Sequence, residues 1–165
     1  MSVFFNAAEI LEMAIQIERN GAKFYRTAGT NATDPSIKSL FDELAAMEVQ
    51  HQATFSNILK EVTAKGTTAA VFDPDEQGAL YLRAMVDGKV FDIKTDPSSK
   101  LTGKESLGQI LNIAIGLEKE SIVFYVGIKE MIREKSDKEH IDRIIREEMG
   151  HITILADALV LVKKG

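Results

Sequence analysis

Apolar residues recur with a helical period along two long stretches in each half of the chain. The stripes of the first half are Leu11, Ala14, Ala22 and Tyr25, then Phe41, Leu44, Phe55, Ile58 and Val62; those of the second are Leu111, Ala114, Ile122 and Tyr125, then Ile141, Ile144, Leu155 and Val162. Apolar residues three or four apart line one face of an α-helix, which buries that face against other helices. The pattern therefore predicts an all-α fold, an antiparallel four-helix bundle.

Capping residues predict where the four helices begin. Asn6 with Glu9 forms a capping box, and Ser106 with Gln109 repeats it 100 residues later. Helix two should open at an N-cap followed by proline, and helix four at Ser136 with Glu139 three residues on. The expected helices cover about 6–29, 34–62, 106–133 and 136–162.

Residues 64–104 form a long connection between the two helical pairs. A short helical pattern follows Asp73 and Pro74 and stops at Gly88. This length lets the chain cross from the end of helix two to the start of helix three. An apolar stretch of this crossover could cover an edge of the bundle or a partner subunit, or pack on its own chain: Val90, Phe91 and Ile93.

Charged and imidazole side chains interrupt all four apolar stripes at one repeated spacing. The interruptions are Glu18, Glu48 and His51, repeated 100 residues later as Glu118, Glu148 and His151. A single Glu-x-x-His is usually a surface pair, but here each copy lies on a core face and follows an upstream glutamate. Residues three apart share a helix face, so each Glu and His pair can bind one ion. Buried carboxylates need compensation. Four of them with two imidazoles predict two divalent metal ions, and this ligand mix suits iron or manganese.

Composition narrows the functional class further. The chain has 165 residues, 45% hydrophobic and 27% charged, which is typical of one soluble domain spanning residues 1–165. With no cysteine there is no disulfide and no thiolate-bound iron centre. A net charge of −5 argues against nucleic acid as the partner. No long apolar run or leader pattern is found, so we expect a cytoplasmic protein without a membrane partner.

The segments AIQIERNGAKFY and AIGLEKESIVFY, with the motifs MEVQH and EEMGH, resemble the rubrerythrin branch of the ferritin-like superfamily. The resemblance implies one ferritin-like domain holding two iron ions on the six residues above, with manganese or zinc as substitutes. It implies reduction of hydrogen peroxide, or of dioxygen, in oxidative-stress defence. Electrons would come from a separate rubredoxin-like protein or flavoprotein, and we expect a homodimer. Tyr25 and Tyr125, seven residues after each first glutamate, would hydrogen-bond near the metal; core packing is an equally favoured interpretation.

Two departures from the rubrerythrin pattern matter. Ser121 stands where these proteins carry an extra metal-binding glutamate, and the absence of cysteine excludes a rubredoxin domain, so the chain resembles the short members. An iron-binding, iron-oxidising or storage protein remains an alternative, as does a purely structural metal. His140 is expected at the end of the bundle, away from the ions, and Met47 and Met149 are expected to fill the core.

Overall fold

The computed structural model describes residues 6–66, 75, 77–86 and 94–164 of the chain. Within these residues lie helices α1 (Ala7–Asn31), α2 (Pro35–Lys65), α3 (Gln77–Val86), α4 (Leu107–Met131) and α5 (Lys135–Lys164), with a 3₁₀ turn at Pro97–Lys100. Helices α1, α2, α4 and α5 form an antiparallel four-helix bundle, while α3 and the 3₁₀ turn lie in the crossover. The predicted fold class is confirmed. No helix in the described part of the chain is long and apolar enough to cross a membrane.

Three of the four predicted helix starts agree with the structure. The Glu9 amide donates to Asn6 Oδ1 at 3.0 Å, and the Asn6 amide donates back to Glu9 Oε2 at 2.9 Å. Ser106 and Gln109 form the same reciprocal box at the start of α4. Asp34 caps α2 by accepting from the Ser36 amide at 2.8 Å. These bonds satisfy backbone donors that a helix start leaves without partners.

The predicted start of the fourth bundle helix was wrong. Helix α5 begins at Lys135, so Ser136 lies inside it, and the Lys138 amide already donates to the Glu134 carbonyl at 3.1 Å. The reason is the tight turn before it: α4 ends at Met131, and the Ile132 amide closes its last turn. Helices α2 and α5 also run to Lys65 and Lys164, past the predicted ends at Val62 and Val162, because the residues beyond these valines are exposed and do not continue the apolar pattern.

Two apolar clusters fill the two ends of the bundle. Cluster A combines residues 7–17 of α1, 55–62 of α2, 124–131 of α4 and 141–145 of α5, with Leu82 and Met85 of α3. Cluster B combines residues 24–28 of α1, 41–45 of α2 and 110–114 of α4, with Leu101 and Leu155. Because α2 ends in cluster A and α4 begins in cluster B, the crossover has to run the length of the bundle. The predicted crossover signals Asp73, Pro74, Gly88, Val90, Phe91 and Ile93 lie outside the described residues.

Helix α3 packs on α4 through a glycine. A Cβ at Gly127 would lie 2.5 Å from Tyr81 Cε1, so only glycine lets the tyrosine ring approach this closely. The Tyr81 hydroxyl also donates to the Val123 carbonyl at 2.7 Å. The matching position in the first half is Thr27, which shows that the internal repeat has diverged where α3 docks.

Candidate metal centre

All six residues predicted as metal ligands meet in one polar layer between clusters A and B. The layer takes one side chain from each of α1 and α4 and two from each of α2 and α5, namely Glu18, Glu118, Glu48 with His51, and Glu148 with His151. None of these residues is more than 4% exposed. Helical periodicity explains the convergence, because each of them continues an apolar stripe that faces the bundle interior.

The six side chains form two overlapping groups, within each of which the ligand atoms lie within 4.8 Å of one another. The His51 group consists of Glu18, Glu48, His51 and Glu148, and the His151 group consists of Glu48, Glu118, Glu148 and His151. Glu48 and Glu148 are therefore shared, while each group has one glutamate and one imidazole of its own. Residues grouped in this way could hold two neighbouring divalent ions, with Glu48 and Glu148 available to both.

The imidazoles turn their Nδ1 atoms toward the shared carboxylates. His51 Nδ1 lies 3.1 Å from Glu148 Oε1, and His151 Nδ1 lies 2.8 Å from Glu148 Oε2. His51 Nδ1 is also 3.5 Å from Glu18 Oε2, and His151 Nδ1 is 3.3 Å from Glu118 Oε1. The two rings are nearly parallel, with centroids 5.7 Å apart.

Hydrogen bonds satisfy only some of the polar atoms in this layer. In the described part of the chain, six buried side-chain atoms make no hydrogen bond, and all belong to the layer: Glu18 Oε2, Glu48 Oε1, both oxygens of Glu148, and Nδ1 of His51 and His151. A buried polar atom without a partner costs about 1–3 kcal/mol, and more when charged. All six atoms are carboxylate oxygens or imidazole nitrogens, which bind first-row divalent metals. The residues present therefore fit a pair of such ions.

Each tyrosine contacts a glutamate from the other half of the chain. The Tyr25 hydroxyl donates to Glu118 Oε1, and the Tyr125 hydroxyl donates to Glu18 Oε1. Both rings also belong to the apolar clusters. The two interpretations of these tyrosines thus hold together: they pack in the core, and they hold one oxygen of each unshared glutamate.

Burial shapes the protonation of the metal-free layer. It raises the pKa of Glu18 and Glu118 well above the usual carboxyl value, and the charge of nearby Glu48 raises both further. It also raises the pKa of both tyrosines, whose hydroxyls therefore stay protonated and able to donate. For Glu148 burial acts in the same direction, but the adjacent imidazoles of His151 and His51 outweigh it and lower its pKa to about 2. Protons thus supply part of the compensation that cations would provide.

Sequence reasoning missed the residues behind the imidazoles. The outer nitrogen of His51, Nε2, lies 2.8 Å from Glu147 Oε2, whereas Nε2 of His151 lies 3.4 Å from Met47 Sδ. Met47 is half-buried as a contact of His151, but the expectation that Met149 fills the core was wrong, because it is 56% exposed. The available signal was positional: residues 47 and 147 each precede a shared glutamate.

Three further residues lie outside the set of six candidate ligands. Gly21 lies one turn after Glu18, and a Cβ there would be 3.1 Å from Glu48 Oε2. Its counterpart Ser121 is buried, and its hydroxyl donates to the Leu117 carbonyl of the same helix at 3.1 Å. His140 is exposed near the start of α5, away from the layer, as expected.

Comparison with known families agrees with this geometry. The sequence model of the family described as Rubrerythrin matches residues 9–159. The chain belongs to the rubrerythrin family. Among solved structures it is similar to a Thermotoga maritima protein provisionally described as a ferritin-like diiron-carboxylate protein, with a TM-score of 0.71 and 25% sequence identity, over 94% of this chain and 95% of that one. No curated protein matches it.

Proposed function

We propose that this rubrerythrin-family protein is a non-haem di-iron oxidoreductase that reduces hydrogen peroxide, or dioxygen, with electrons from a separate redox protein. The observation that carries the proposal is the pair of buried ligand groups that share Glu48 and Glu148. Family membership favours iron over manganese or zinc, which the same ligands would also accept.

In this proposal each ion takes one imidazole nitrogen, one unshared glutamate and the two shared glutamates. Four ionised carboxylates carry four negative charges, which two divalent cations neutralise. His51 and Glu18 would hold one ion, and His151 and Glu118 would hold the other. The tyrosine hydroxyls each donate to one oxygen of an unshared glutamate, and these hydrogen bonds would hold both carboxylates in place within the layer.

A pair of ferrous ions held here would supply the two electrons that, with two protons, reduce hydrogen peroxide to two water molecules. The polypeptide contributes the arrangement of the layer. Clusters A and B restrict water on both sides, which strengthens electrostatic interactions between the carboxylates and any bound cation.

Electrons have to reach the centre from outside this chain, because its sequence contains no cysteine for an iron–sulfur or rubredoxin-type centre. A rubredoxin-like protein or a flavoprotein is the proposed donor, acting on a homodimer in the cytoplasm. Sustained peroxide reduction by the purified chain with NADH and no second protein would contradict a separate donor.

The test combines metal analysis with rapid kinetics. Protein purified from iron-replete cells should contain two iron ions per chain, and its reduced form should be oxidised within milliseconds to seconds by peroxide or dioxygen in stopped-flow experiments. The variant Glu48→Gln should lose both ions, because Glu48 belongs to both groups. The control Glu12→Gln changes an exposed glutamate of α1 and should keep both.

Storage makes a different prediction for the same preparation. If iron is cargo, sizing and electron microscopy will show a cage or a mineral core, and far more than two ions per chain will be taken up. If metal is only structural, stability will depend on it while oxidant leaves its oxidation state unchanged. Either result would overturn the proposed oxidoreductase.

A further inference from the structure

The two imidazoles of the layer differ in what stands behind them. Helix α5 places Glu147 against His51, and helix α2 places Met47 against His151. Positions 47 and 147 are equivalent in the internal repeat, since each immediately precedes a shared glutamate. The backbone thus provides the same outer position twice, and the sequence fills it with a carboxylate on one side and a thioether on the other.

This difference acts on the imidazoles through their protons. A histidine that binds a metal through Nδ1 carries its proton on Nε2 and donates it to an outer partner, which fixes the tautomer and raises the basicity of the ligand nitrogen. Glu147 is a strong, charge-assisted acceptor for such a proton, at 2.8 Å from Nε2 of His51. Met47 offers a weak thioether acceptor at 3.4 Å from Nε2 of His151.

The charge of Glu147 also favours a cation in the His51 group. Glu147 adds a negative charge beside the His51 group, whereas Met47 adds none beside the His151 group. The Glu147 side chain is 40% exposed, so water screens this charge in part. The direct contact of Glu147 with the ring therefore affects His51 more strongly than the long-range field of its charge does.

We propose that Glu147 is a positioning residue that makes the His51 group the tighter of two unequal metal positions, so that the first divalent ion bound by each chain enters it. Met47 leaves the His151 group as the weaker position, which fills second. The inference rests on the proposed di-metal centre, and it concerns the order of loading rather than the reaction.

The experiment titrates the metal-free chain with Co²⁺ and follows the visible absorption of the bound ion. The unaltered protein should bind two ions in two resolved steps. Glu147→Met, which copies position 47, should weaken the first step by about 10- to 100-fold, the usual cost of losing an outer partner of a metal-bound histidine. Glu147→Gln keeps a neutral acceptor of the same shape and should weaken it less. Met47→Glu should tighten the second step.

The double variant Glu147→Met with Met47→Glu exchanges the two outer partners and should reverse the order of filling. Crystals grown with one equivalent of Co²⁺ per chain, read by anomalous scattering, should place the ion at His51 in the unaltered protein and at His151 in the exchange variant. Glu139→Met, at an exposed glutamate of α5, is the control for loss of a charge and should change neither step. Circular dichroism checks that each variant is folded.

Two equal binding steps in the unaltered protein, or first occupancy at His151, would overturn the inference, as would Co²⁺ affinities unchanged by Glu147→Met. Should Glu147→Met fail to fold, Glu147→Gln decides in its place, and a first step equal to that of the unaltered protein would count against the inference. Failure of the proposed centre gives a distinct result: an unaltered protein that binds fewer than two ions would exclude the di-metal site itself.

Discussion

Gly21 lets the backbone of α1 lie close to the shared ligand Glu48, and replacing it tests the geometry of the whole layer. In Gly21→Ala the new Cβ would lie 3.1 Å from Oε2 and 3.2 Å from Cδ of Glu48. These separations are shorter than ordinary van der Waals contacts, so the carboxylate has to move by a few tenths of an ångström. Because Glu48 belongs to both ligand groups, its movement should disturb both ions at once.

Two effects of Gly21→Ala oppose each other, and the control separates them. Alanine in place of glycine inside a helix stabilises the fold by about 0.5–1 kcal/mol. Gly116→Ala, where nothing lies within 4 Å of the new Cβ, should show this gain with unchanged metal binding. Gly21→Ala should gain less stability in the metal-free state and should lose affinity for both ions, each by about 10-fold or more.

The assay pairs thermal unfolding of the metal-free proteins with Co²⁺ titration of each. The comparison is internal, since both substitutions add one methyl group to a half-buried helical glycine. If Gly21→Ala bound both ions as tightly as Gly116→Ala, Glu48 would not be a shared ligand in the position described, and the reasoning would fail.

Four further results are expected. Removing metal with a chelator should destabilise the fold, by about 2.7 kcal/mol per ion when free metal had been at 100 times the dissociation constant, as measured by denaturant unfolding with and without chelator. Metal binding should release protons, measurable with a pH indicator, because burial raises the pKa of Glu18 and Glu118 in the metal-free protein. The raised pKa values also predict how the stability of the metal-free protein depends on pH. Glu18 and Glu118 stabilise the metal-free fold below the usual pKa of 4.5, and this contribution is lost as the pH rises through their raised pKa values. A metal-free protein that gained stability over this rise in pH would contradict the assignment. Because the Ser121 hydroxyl is turned to the Leu117 carbonyl, crystals of oxidised and reduced forms should show both ions keeping their histidines, and an ion that leaves His51 or His151 would refute this.

The sequence predicted the convergence of the six polar residues because helical periodicity carries direction as well as spacing. A side chain in register with Leu11 and Ala14, as Glu18 is, has to face the same core. The duplicated capping boxes predicted two helix starts for a similarly local reason. Fold and ligand positions could be predicted wherever a rule acts within about one or two helical turns.

What could not be predicted depends on contacts between distant segments. The contact of Glu147 with His51 spans 96 residues and joins α5 to α2. The position of Glu147 directly before Glu148 marks it as a candidate, but it does not reveal which side chain of α2 it meets. Gly21 is similar, because its role lies in the space that it leaves for a side chain of another helix. The prediction that Ser136 caps the fourth bundle helix was wrong for the opposite reason. Its local capping pattern was overridden by the short turn that follows α4.

The crossed tyrosine contacts have a consequence for how such a chain can change over time. Since Tyr25 reaches Glu118 and Tyr125 reaches Glu18, neither helical pair completes a site alone, and two identical pairs could do so only as a symmetric dimer. In that dimer a single sequence position would supply the residue behind each imidazole, so both imidazoles would always have the same outer partner. Joining the pairs in a single polypeptide removes this constraint, and only then can a mutation at position 47 leave position 147 untouched. The crossover that links the halves is thus what allows the two sides of the layer to take on separate tasks.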